Sequence, residues 1–449
     1  MFKFFKRKKQ QRSFAGAQVG RLNDFVMSYQ RIDADLRQSY SNLVLRARNL
    51  AHDDPNVISA LLTMERNIIG ANGFRIQSRT GDNVRNNIIE RLWKSYCKSK
   101  ITLDRKNNAR DFDIQILRTL IVDGEVFVRR IFENGIPHYE LIDSLDVDVL
   151  YNVEDCGDGC RVSMGIKLDS FNAPVSYFIR VNTNSYSYNT GDRIEVPASE
   201  IIHIYRSYFA GQTRGYTMLS GSLVRLNHLD AYDEAELISA RMEACNQGFF
   251  KRQQDGIYDE LAESKTDEQF PEKYEPGTIR KIPDGYDLIQ LQSNHPNSNF
   301  GAFVKNILRR VAASIGLSYN KLTGDYEAVN YSSLREAALE DRETWKDIQE
   351  FLIDNWKQVQ FRDFANAMIA RRVFDFVDAE VEFFGRTWDW IDPVKDITAI
   401  KMKLDMRLTD PITEIEKMGG DPETTVRRWQ EWRRLTQDIT TGENDDNKI

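Results

Sequence analysis

Asp143, Asp146 and Asp148 fall close together, as do Asp378, Glu380 and Glu382. Clustered carboxylates of this kind are what a metal-dependent nuclease uses to hold Mg²⁺ or Mn²⁺. Their alternation also fits the solvent face or edge of a strand, and the sequence favours that reading. Cys156 and Cys160 are close enough to begin a metal site. Structural zinc takes four ligands, however, and neither Cys97, His138 nor His203 stands at a matching spacing. A P-loop motor needs Gly-Lys-Ser/Thr at the end of a glycine-rich loop, and the dipeptide Gly-Lys occurs nowhere. No G-x-S-x-G elbow is present and the five histidines are isolated. His203, within an alternating strand, reads as a structural residue. The expectation is a protein that is not an enzyme and carries no cofactor or metal.

The stretch from Ile315 to Glu340 carries a different kind of signal. Before it, Phe300, Phe303, Val304, Ile307, Leu308, Val311 and Ile315 recur at helical spacing. Gly316 then offers a C-terminal stop, because glycine takes a left-handed conformation without a Cβ clash. Ser333 and Glu336 have the spacing of a capping box, which predicts the start of a second helix. Between the two helices the sequence predicts a loop carrying Lys321, Asp325, Tyr326, Glu327 and Asn330. Such a loop is either a connection or a working surface. Lys305, Arg309 and Arg310 lie on the polar side of the first helix, with Lys305 and Arg309 stacked at i,i+4. They read as a solvated face in a lone protomer and as a channel lining in a ring.

The elements that position this stretch are helices first, strands after. Leu43, Leu45, Ala47 and Leu50 predict a short helix, and Pro55 a helix start followed by Val57, Ile58, Leu61, Leu62, Met64 and Ile68. Gly70 to Gly73 end it. Two further helical faces follow, Ile88 to Tyr96 and Phe112 to Leu120. The period then changes: Glu125–Phe132, the turn at Asn134-Gly135, and Pro137–Ile142 predict a hairpin. Strands are expected over Val162–Leu168, Tyr177–Val181 and Ile201–Tyr205. Helices resume at Met218 and run past Ala244, and the long helix after Ser333 continues to Arg371-Arg372. A proline- and charge-rich segment, Lys251–Asn299, interrupts them with expected strands at Thr278–Ile282 and Tyr286–Gln292. Val381–Phe384 reads as a strand, Asp392–Met406 and Asp421–Leu435 as the last helices, and Thr440–Ile449 as a tail. The pattern is α+β.

Composition bounds the function classes. The 449 residues are 41% hydrophobic and 29% charged, which suits an extended or oligomeric protein with several modest cores. No run approaches the ~18 apolar residues of a membrane span, so a soluble protein with no membrane partner is expected. Four scattered cysteines fit a reducing compartment without a disulfide framework. Six basic residues and no acidic one precede Ser13, a solvated tail or an arm for an anionic partner. The net charge of −7 argues against a conventional DNA binder, whose affinity comes mostly from neutralising phosphates.

With Leu-Thr-Gly-Asp-Tyr and Val-Asn-Tyr-Ser-Ser-Leu-Arg at its centre, the run from Ile315 to Glu340 resembles the lambda-type family of tailed-bacteriophage portal proteins. Ala210-Gly-Gln-Thr-Arg-Gly-Tyr-Thr-Met-Leu-Ser220 with the helix after it, Leu45–Pro55, and Asn67–Phe74 resemble the same family in the same order. The resemblance implies a ring of about twelve copies at one vertex of the virion capsid, through which double-stranded DNA is packaged and ejected. It implies an N-terminal arm (1–20), a wing (21–217 and 331–389) and stem helices (218–250 and 299–316). A small α/β clip (251–298) would meet the terminase large subunit and later the head-completion and connector proteins. A tunnel loop (317–330) would narrow the channel, placing Lys321, Asp325, Tyr326, Glu327 and Asn330 toward DNA and Lys305, Arg309 and Arg310 on the channel wall. A helical crown with its tail (390–449) completes the protomer. Major capsid and scaffolding proteins are further implied partners, and assembly would occur in the host cytoplasm. The competing readings are a metal-dependent DNA-processing enzyme built on the acidic clusters and a monomeric adaptor.

Overall fold

Asp54 sets the entry to the body. Its side chain accepts the backbone N–H groups of Asn56 and Val57, and Pro55 occupies the first helical position. The computed structural model describes residues 30–157, 159–181, 192–244, 248–252, 286–290, 299–327, 329–373 and 381–442. The arm 1–20, Cys245, the expected strand Thr278–Ile282 with most of 251–298, Asp378, Glu380 and the tail from residue 443 lie outside the described residues.

Helix α1 (Ile32–Asp53) is much longer than the short helix expected, and it packs Leu36, Tyr40, Val44 and Ala47 inward. Helix α2 (Pro55–Ile68) buries Val57, Ala60, Leu61, Met64 and Ile68. Strand β1 (Arg75–Ser78), which no pattern signalled, leads to α3 (Asn83–Lys98) and α4 (Ala109–Val122), capped by Asp82 and Asn108 respectively. Strands β2 (Glu125–Glu133) and β3 (Ile136–Ile142) form the expected hairpin. Its turn puts Asn134 and Gly135 at φ 50° and 73°, the left-handed pair of a type I′ turn.

The expected single strand Val162–Leu168 is two, β4 (Arg161–Ser163) and β5 (Ile166–Leu168). Met164 and Gly165 turn the chain between them at φ 48° and 80°. A Cβ on Gly165 would lie 2.7 Å from the Asp148 carbonyl oxygen, so only glycine fits there. Strands β6 (Pro174–Arg180), β7 (Arg193–Pro197) and β8 (Ile201–Tyr205) follow. One antiparallel sheet runs β3-β2-β8 and a second β4-β5-β6-β7. Phe127, Ile142, Val147, Ile166, Leu168, Tyr177, Ile179, Val196 and Ile201 make the core between them.

Helix α5 (Leu223–Ala244) starts five residues after Met218, and β9 (Gly248–Arg252) pairs with β10 (Tyr286–Gln290). Helix α6 (Phe300–Ser314) returns beside α5, with Tyr232 against Phe300 and Phe303. Next come a short helix, α7 (Tyr319–Thr323), and then α8 (Tyr331–Leu352) and α9 (Gln358–Ala370). A π turn at Ile353–Lys357 joins the last two. Strand β11 (Val381–Phe384) pairs with β1, and α10 (Pro393–Asp405), α11 (Pro411–Lys417) and α12 (Pro422–Gly442) finish the chain. The largest core gathers apolar residues from α2, α3, α4, α5, α6, α8 and α9 against the inner face of β2. The architecture is α+β.

Two local expectations are corrected. Ser333 is not the cap of α8: Asn330 is, accepting the Ser333 backbone N–H at 2.8 Å, so the helix begins at Tyr331. Asparagine is as good an N-cap as serine, and it comes first in the chain. The acidic set after β3 is not a solvent-facing strand edge either. Asp148 is fully buried and is held by Arg180 and Arg193.

Candidate functional site

The segment from Gly316 to Asn330 is mostly not a free loop. Gly316 takes φ 70° and lets the Leu317 N–H return to the Ala312 carbonyl at 3.0 Å, with Leu317 buried behind it. This is the Schellman closure of α6. Asp341 of α8 then accepts both the backbone N–H and the hydroxyl of Ser318, each at 2.7 Å. Helix α7 follows, and its Leu322 is 1% exposed. From α2, the Ser59 hydroxyl donates to the Leu322 carbonyl at 2.9 Å. Gly324 closes α7 at φ 71°.

Asp325 folds back onto α6. Its Oδ2 lies 3.0 Å from Lys305 Nζ and accepts the Tyr319 hydroxyl at 2.9 Å, while Oδ1 accepts the Glu327 N–H at 2.9 Å. Lys305 and Arg309 both lie over the Tyr319 ring, at 5.3 and 5.7 Å from its centroid. The hydrogen bond from Lys305, then those from Glu327 and Tyr319, hold the Asp325 carboxyl down to about 2. The same contact raises Lys305. Burial pushes Asp341 up, against its bonds from Ser318 and the nearby charge of Lys321.

The exposed part is therefore a short tip. Tyr326 and Glu327 face solvent, and Asn330 is occupied in capping α8. Lys321 sits half-buried on α7, while Arg309 and Arg310 are exposed on α6. Of the residues singled out from the sequence, the fold joins Lys305 to Asp325 and leaves Tyr326 and Glu327 in the open. Asp341 escaped notice, although a signal existed. It is a carboxylate in the apolar stripe of α8 that continues through Trp345, Ile348 and Leu352.

Asp143 pairs with Arg48 at 2.8 Å, and Glu382 with Arg79 at 2.5 Å. Among the described residues no group of three or more His, Cys, Asp or Glu is placed to hold a metal ion. Cys97, Cys156 and Cys160 are free thiols. His203 is buried against Glu125, with Nε2 at 2.9 Å from Oε2, as its place in an alternating strand suggested.

The site is thus an α+β body that straps a short exposed tip to a helical frame. The description "Phage portal protein, lambda family" matches residues 19–349. The chain belongs to that family. It is similar to a probable portal protein of Halomonas phage phiHAP-1, 28% identical over 94% of this chain and 86% of that protein. It is also similar to portal protein B of Escherichia phage lambda, 21% identical over 90% of this chain and 85% of that one. Among solved structures, a chain in the neck of an empty GTA particle computed with C6 symmetry aligns with a TM-score of 0.49. That alignment has 11% identity and covers 88% of this chain and 95% of the other.

Proposed function

We propose that this protein forms the ring-shaped portal of a phage virion, a conduit of about twelve copies through which double-stranded DNA enters and leaves the capsid. The observation that carries the reading is the family match across residues 19–349. In this reading α5 and α6 are the stem, residues 317–330 the tunnel segment with its tip at Tyr326–Asn330, and α10 to α12 the crown. The segment 251–298 is the clip that docks the terminase large subunit and later the head-tail connector.

Two physical features support a multi-copy conduit. Val394, Ile397, Met402, Met406, Val426, Trp429, Trp432 and Leu435 are exposed in the lone chain, apolar surface that copies packed side by side would cover. The net charge of −7 suits a wall past which DNA slides, since every neutralised phosphate adds grip. At the tip, Tyr326 and Glu327 bring no positive charge.

Light scattering of the purified full-length protein tests the assembly. A particle near about twelve protomers of 52.2 kDa each, with a central hole in negative stain, is the expected result. A monodisperse monomer at micromolar concentration overturns it.

A further inference from the structure

We propose that Lys305, Arg309 and Tyr319 form a phosphate-binding site whose anion position Asp325 fills, and that duplex DNA displaces Asp325 from it. The inference rests on the conduit reading for its setting, and on the geometry of this cluster for its chemistry.

The Asp325 carboxylate stands where a phosphate oxygen would. It receives two donors of the kind that hold phosphate, an ammonium at 3.0 Å and a phenol hydroxyl at 2.9 Å. A third donor waits beside them. Arg309 lies over the same Tyr319 ring as Lys305, so both cations converge on one aromatic ring. Lys305 and Asp325 keep 34% and 26% of their side-chain surface in water, so an outside anion can reach the pair. Ion pairs open to solvent are weak and readily exchanged.

The covalent layout makes the exchange directional. Upstream, α7 is fixed by Leu322 in the core and by the bonds of Ser318 to Asp341. Downstream, Asn330 is fixed as the cap of α8. Gly324 at φ 71° marks the joint between α7 and Asp325. When Asp325 leaves Lys305, the backbone bond from Glu327 to Oδ1 goes with it, and only the tip is released. Phosphate capture on α6 thus frees Tyr326 and Glu327 to move. With Asp325 seated, the wall carries two fewer unpaired charges and DNA slides; with phosphate seated, the wall holds.

Duplex binding by the full-length protein, measured from 50 to 300 mM salt, tests this. Asp325→Asn is expected to bind a 30-base-pair duplex more tightly, with the slope of log K against log[salt] steeper by about 0.9 for each Lys305 engaged. Glu327→Gln removes the same charge without touching Lys305, and its slope is expected to stay at the wild-type value. In a Lys305→Met background the Asp325→Asn gain is expected to vanish. A gain that survives in that background, or an Asp325→Asn slope equal to wild type, overturns the proposal. Failure of the conduit reading shows separately, as absence of a ring in light scattering while the slope still changes.

Discussion

Arg214 is fully buried, and everything around it is arranged to keep its charge. Its Nε donates to Glu125 Oε1 at 2.6 Å, while its Nη atoms donate to the carbonyls of Met164 and Ser144 at 2.8 Å. Its guanidinium also lies 4.6 Å from the Tyr40 ring centroid. Burial pushes Glu125 up, but Arg214, His203 and the Tyr40 hydroxyl overcome it and bring the carboxyl to about 2. Removing one partner of such a pair strands the other's charge, so Arg214→Met is expected to cost about 3–5 kcal/mol in urea unfolding. The pH dependence has a defined sign. Glu125 is depressed in the fold, so its share of stability is complete above about 4.5 and is lost as pH falls toward about 2. His203 is lowered chiefly by burial, so its share is complete above 6.5 and begins to fall below that value. The urea midpoint should therefore decline below pH 6.5 in wild type, and Arg214→Met should flatten the part below about 4.5. A parallel decline in both proteins would show that the pair does not set the acid limb. Little of this was legible in the sequence. Glu125 read as a strand start and Arg214 as part of the Ala210–Ser220 stretch that resembles the portal family, and no periodicity reports a contact between residues so far apart in the chain.

At the scale of elements, helices and strands were legible wherever one apolar face repeats, as in α2, α4, α6 and the β2–β3 hairpin. Strands β1 and β7 were not, because β1 is only four residues long and β7 is exposed at every residue but Val196. The π turn at Ile353–Lys357 was also hidden. It lies inside an unbroken helical pattern, yet it brings Lys357 into the core, 3.1 Å from Asp113, with Trp356 Nε1 donating to the same carboxylate at 2.7 Å. The candidate segment was legible as a place but not as a shape. Its flanking helices follow from spacing, whereas its strapping depends on Asp341, Ser59 and Lys305, which lie on other elements. A sharper test concerns the entry to β2, where Gly124 and Gly215 pass backbone to backbone. A Cβ on Gly124, which sits at φ 91°, would lie 1.9 Å from the carbonyl carbon of Tyr216. No side chain can yield there, so the chain itself must shift. Gly124→Ala is expected to abolish soluble folded protein or to cost more than about 4 kcal/mol. Gly81→Ala is the control, with φ 77° but open space around it. It bears only the left-handed penalty of about 1–2 kcal/mol. Equal losses in urea unfolding would mean that the crossing is not the constraint.

Taken whole, the protein divides into a body that folds on its own core and a C-terminal extension attached by polar contacts. Helices α10 and α11 bury no residue, and among the described residues of α12 all of 426–435 face solvent. Their ties to the body include the bond from Gln77 to Asp421 at 3.0 Å and the pairs Arg79–Glu416 and Arg335–Asp396, each at 2.8 Å. Contacts of this kind are weak at a surface. The apolar cluster that holds α2, α4, α8 and α9 together takes nothing from residues beyond Trp388. A chain ending at Gly420 is therefore expected to unfold within about 1 kcal/mol of the full-length protein. Its assembly should behave differently. Val426, Trp429, Trp432 and Leu435 recur every third residue on α12, apolar surface winding around half of the helix that the lone chain leaves in water. If copies in the proposed ring cover that surface, the shortened chain should fall apart on dilution at a higher concentration than the full-length assembly, with its urea midpoint unchanged. Mass photometry across a dilution series reads the first quantity and far-ultraviolet circular dichroism the second. A shortened chain whose rings persist as well as the full-length ones would place the assembly contacts wholly in the body, and one that unfolds earlier would make the extension part of the core.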